Sequence, residues 1–71
     1  MKPNATMLEL RFGYFPQKFA YNRNVYHVKQ IERTQTTEKE LNFIVKTDSG
    51  EWCSLSQNVK NKTWTCRMIK R

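Results

Sequence analysis

Asp48-Ser49-Gly50 stands between two runs in which apolar residues take alternate positions, Phe43-x-Val45 before it and Cys53-x-Leu55 after it. A period of two marks a strand with one buried face. A three-residue connection with Gly at the left-handed position closes a hairpin. The turn therefore sets Thr47 opposite Glu51, Val45 opposite Cys53 and Phe43 opposite Leu55, and two apolar faces coincide.

Thr63 to Ile69 alternates in the same way, after a loop through Gln57, Asn58, Lys60 and Asn61. Pairing Leu55 with Trp64 carries the apolar face onto a third strand, puts Cys53 opposite Cys66, and leaves Trp52 opposite Arg67 on the outer face. A slip of one residue would turn all these side chains to solvent, so their agreement supports the register. The predicted core is Phe43, Val45, Cys53, Leu55, Trp64, Cys66 and Met68.

Upstream, Met7 to Phe12 carries Leu8 and Leu10 on alternate positions, as a short strand or extended arm, and Gly13 breaks it. In the aromatic run Tyr14 to Tyr21, Pro16 forces an extended neighbour and cannot donate a ladder hydrogen bond, which places the run on an edge or bend. Asn22-Arg23-Asn24 supplies turn chemistry and Val25 to Ile31 is a β-branched strand, so Phe19 to Ile31 reads as a hairpin. The expected fold is all-β: a single five-stranded antiparallel meander, curled into a small SH3-like barrel that hides its sheet edges. Residues 1–6 are expected to be a flexible lead-in and 7–71 the barrel domain; an open sheet that dimerises is the alternative.

Phe15-Pro16-x-x-Phe19, then Tyr26-x-Val28, Phe43-x-Val45, Gly50 and the stretch from Trp64 to Arg71 resemble the pattern of small uncharacterised bacterial SH3-like barrel domains. The resemblance implies the fold and assigns no functional residue.

A chain of 71 residues leaves room for one domain, which buries only roughly 60% of its unfolded surface, so a deep catalytic cavity is not expected. No apolar run approaches the roughly 20 residues of a membrane helix, and Met1 to Leu8 lacks a signal-peptide pattern. The expected location is the cytoplasm, with no membrane partner. Cytoplasmic cysteines would stay reduced, and the sequons at Asn4 and Asn61 are read as chance.

Little in the chain suits catalysis. The single histidine, His27, lies between Tyr26 and Val28 with no serine or carboxylate pattern around it. Cys53 and Cys66 fall on the predicted core face, where free thiols behave as small hydrophobes; a disulfide between them is the competing reading. Two separated cysteines and one histidine fall short of a zinc site. The only glycines, Gly13 and Gly50, form no phosphate loop. The chain is read as not an enzyme, with no catalytic residues, metal or cofactor.

Positive charge remains. Thirteen Lys and Arg against six Asp and Glu leave +7, a field that gathers polyanions, and most of the acids lie between Glu32 and Glu51. The two ends of the chain carry the excess and can lie close together in a meander barrel. The expected function is binding of single-stranded or non-sequence-specific nucleic acid, with Arg23, Lys60, Lys62, Arg67, Lys70 and Arg71 on phosphates and Tyr14, Tyr21 and Trp52 stacking on bases. The alternative is a protein-interaction module, or a mobile-element accessory protein that binds a host protein, in which Phe12 to Tyr21 accepts a peptide strand or an acidic protein surface. A monomer, or a weak homodimer joined through Ile44, Trp52 and Ile69, is compatible with either.

Overall fold

The alternating pattern becomes six antiparallel strands in a computed structural model that describes residues 4–69. These are β1 (Asn4–Arg11), β2 (Phe15–Tyr21), β3 (Asn24–Thr36), β4 (Glu40–Thr47), β5 (Trp52–Asn58) and β6 (Trp64–Ile69). They follow one another around a closed barrel in chain order, and β6 returns to β1. The meander barrel thus has six strands instead of five, because the aromatic run expected as an edge or bend is a strand in its own right, paired with β1 on one side and β3 on the other. Asn4 to Thr6, expected in the lead-in, begin β1; residues 1–3 lie outside the described residues. No helix among the described residues is long and apolar enough to cross a membrane.

The turns follow from residues that accept a left-handed backbone. Asn22 and Arg23, at φ 51° and 66°, form a two-residue connection of the type that matches strand twist. Gly50, at φ 87°, closes β4 to β5, and there the Thr47 N–H donates to the Glu51 carbonyl at 2.8 Å. The β4–β5 ladder pairs Val45 with Cys53 and Phe43 with Leu55, as the turn requires.

The β5–β6 register differs from expectation by two residues. Leu55 pairs with Cys66 and not Trp64, Cys53 pairs with Met68 and not Cys66, and Trp52 pairs with Ile69 and not Arg67. The reason is that β5 continues to Asn58. The Asn58 N–H donates to the Thr63 carbonyl, the Asn58 Oδ1 accepts from the backbone of Lys60 and Asn61, and Lys62 takes a positive φ. An even displacement keeps every side chain on its expected face.

The core is Phe19, Phe43, Val45, Cys53, Leu55, Trp64 and Cys66, with Met68 half-buried against it. Phe19 stacks on its cross-strand neighbour Tyr26 at 5.3 Å, and Phe43 on Trp64 at 6.0 Å. Thr47 is fully buried; its hydroxyl shares a hydrogen bond with Ser49 and accepts one from the Glu51 N–H. Cys53 and Cys66 are free thiols, and Cys53 donates to the Met68 sulfur at 3.2 Å.

Two seams are thin. β1 meets β6 only through Asn4 with Thr65 and Ala5 with Trp64. β3 pairs with β2 only as far as His27, then bends through two irregularities to follow β4.

Candidate functional site

Because Phe43, Val45 and Thr47 point inward, Asn42, Ile44 and Lys46 face out; the same alternation turns Trp52, Ser54 and Ser56 of β5 and Thr65, Arg67 and Ile69 of β6 outward. The registers align these side chains in rows across the sheet. One row runs Arg33, Ile44, Ser54, Arg67. The next runs Gln30, Lys46, Trp52, Ile69, and a third Gln35, Asn42, Ser56, Thr65. With neighbouring strands about 4.8 Å apart, the two arginines stand about 14 Å from each other across β3 to β6.

None of the residues in these three rows is acidic. Arg33 and Arg67 are exposed, while Ile44, Lys46, Trp52, Ser54 and Ile69 are half-buried. The Lys46 Nζ lies 5.7 Å from the centre of the Trp52 ring, a cation–π distance. The middle of the face is low, because serine and threonine hydroxyls replace bulk there; the Ser56 hydroxyl donates to the Asn42 side-chain oxygen. Glu32 enters only at the rim, where with Arg33, Ile44 and Ile69 it lines a depression of about 410 Å³. Such a face can bind a phosphate chain at its cations and a planar group at its indole. It presents no nucleophile paired with a base.

Of the residues expected to form one basic face, Trp52 and Arg67 share this one. Lys60 and Lys62 lie in the turn between β5 and β6, which a hydrogen bond from the Val59 N–H to the Lys39 carbonyl ties to the β3–β4 turn. Arg23 lies in the β2–β3 turn, at the opposite end of the barrel, since successive connections of a meander alternate ends. Tyr14 is in the β1–β2 turn, its ring 4.4 Å from that of Phe15, and Tyr21 packs half-buried beside the core. Lys70 and Arg71 lie outside the described residues. The cations are thus spread over several faces.

Arg33 and Lys46 were not singled out from the sequence. Lys46 was within reach, because the inward positions of Phe43 and Val45 turn it outward next to the β4–β5 turn. Arg33 was not, because its place opposite Ile44 follows two irregularities in β3.

His27 is exposed, and its carbonyl accepts from the Asp48 N–H at 2.9 Å. The Cys66 thiol is pushed far above the ordinary range, first by its hydrogen bond with Cys53 and then by burial, so it stays protonated and inert. No family, curated protein or solved structure matches the chain.

Proposed function

We propose that the chain is a non-catalytic module that binds single-stranded nucleic acid, with little sequence preference, on the outer face of β3 to β6. The observation that supports this reading is the adjacency of two rows, Arg33-Ile44-Ser54-Arg67 and Lys46-Trp52-Ile69, with no acid in either. Cations flanking an accessible aromatic are the parts from which such interfaces are built: phosphates meet charge while a base stacks. Lys46 and Trp52 are already held together, so one nucleotide can meet both. The Ser54, Ser56 and Thr65 hydroxyls offer hydrogen bonds without bulk that would keep a strand away.

The test is an amide and side-chain NMR titration of the full chain with short single-stranded and duplex oligonucleotides at two salt concentrations. Salt-sensitive shifts at Arg33, Lys46, the Trp52 indole, Ser54 and Arg67 are expected, and they should be larger for single strands. Unmoved signals at these residues in low salt would end this reading.

A further inference from the structure

The barrel wall opens between β2 and β3. Their ladder runs from Tyr21 opposite Asn24 to Lys18 opposite His27 and goes no further. Pro16 has no N–H to continue it. On either side of this gap, β2 stays paired with β1 through Pro16 and Phe15, and β3 bends away with β4. The result is a groove of about 460 Å³ whose walls include Arg11, Phe12 and Phe15 on one side and Val28, Lys29 and Ile31 on the other. Among the described residues that line it, Arg11 and Lys29 carry charge and none is acidic.

Two further features bear on an occupant. From Val28 to Ile31, β3 is paired on its β4 side, while on its β2 side no strand ladder continues among the described residues. Backbone donors and acceptors spaced for a strand therefore face the groove. Phe12 is 80% exposed, at φ 56° in the turn above it. A bulky residue rarely holds that backbone conformation, and here it presents an aromatic ring to solvent at the groove's wall.

We infer that this groove takes one extended, acidic peptide segment of a protein partner. The segment adds a strand to the open edge of β3, sets its carboxylates on Arg11 and Lys29, and lays its apolar side chains against Phe12, Phe15 and Val28. The strand edge favours a peptide over a polynucleotide, because a backbone of alternating N–H and C=O groups is what that edge complements. The site is separate from the face of β3 to β6 and does not depend on it.

The probe is a blocked peptide alternating Val and Glu, titrated into the labelled full chain, with the same peptide N-methylated at alternate amides and a Val/Lys peptide alongside. Shifts confined to Phe12 to Gln17 and Val28 to Ile31 are expected. N-methylation should weaken binding at least about tenfold, as loss of a strand's hydrogen bonds requires. In the double variant Arg11→Glu and Lys29→Glu the preference should reverse toward the Val/Lys peptide; both residues are exposed, and dispersed amide spectra will show that the fold is kept. No shift with the Val/Glu peptide at millimolar concentration, equal affinity for the N-methylated form, or displacement of the peptide by an oligonucleotide that moves these same amides would each overturn the inference. Oligonucleotide shifts at Trp52 and Arg67 report on the other face, so the two readings fail separately.

Discussion

Replacing Arg67 by Ala removes one cation from a face where the registers place three, Arg33, Lys46 and Arg67. On a single strand each neutralised phosphate contributes about −0.7 to the slope of log affinity against log salt, so the unaltered chain should show about −2.1. Raising salt from about 50 to about 200 mM then weakens binding about 18-fold, and Arg67→Ala should reduce that to about sevenfold, with a slope near −1.4. Arg67 is exposed and sits opposite Ser54, so the fold loses little. Trp52→Ala makes the contrast: it should cost about 1–3 kcal/mol of stacking and leave the slope unchanged. Fluorescence anisotropy with a labelled oligothymidylate and a mixed-sequence strand of equal length measures both quantities. A slope that stays put in Arg67→Ala, or a loss seen with only one of the two sequences, would refute phosphate contact at this arginine.

Three further outcomes follow from the core and its turns. Phe19 is fully buried, and Phe19→Ala should cost about 3–5 kcal/mol out of roughly 4–11 kcal/mol available to a domain of this size; urea unfolding should show a much earlier midpoint or no cooperative transition. Thr47→Val keeps the shape but takes the acceptor from the Glu51 N–H and the partner from Ser49, so the urea midpoint should fall by about 1–2 kcal/mol with the slope of the transition preserved. The raised pKa of Cys66 means that above the ordinary thiol value of about 8.5 the folded chain keeps a proton that the unfolded chain loses. This contribution to stability is present below that pH and declines above it, by up to about 1.4 kcal/mol per pH unit. Urea midpoints at about pH 8 and about pH 10 should therefore converge in Cys66→Ala compared with the unaltered chain.

The sequence reading reached furthest where a short turn fixed the pairing. Gly50 between two alternating runs determined the β4–β5 register residue by residue, and Asn22-Arg23 did the same for β2 and β3. It went astray by two residues between β5 and β6, since that connection is closed by Asn58 and Asn61 side chains whose capping is not evident from residue types alone. Phe19 went unassigned to the core because Pro16 nearby argued for an edge, yet Pro16 itself is buried and β2 is flanked by two strands. The candidate face was half legible. Trp52 and Arg67 followed from alternation, but their true neighbours did not, and the groove was hidden because it arises where a ladder stops, which depends on bulges that leave no local mark in the sequence.

The two-pair ladder between β1 and β6 has a kinetic consequence. Asn4 and Ala5 meet Thr65 and Trp64 across nearly the whole chain, so the entropy of closing that loop is spent for few hydrogen bonds, whereas the hairpins from β2 to β6 each close over a handful of residues. The rate-limiting step of folding should then organise the β3–β4–β5 hairpins, with the β1–β6 contact still open at the barrier. Mutations at Ala5 would speed unfolding and leave the folding rate almost unchanged. The lifetime of the closed barrel is in this way governed by its shortest ladder, and a partner that bridged β1 to β6 would lengthen that lifetime without altering how fast the chain folds.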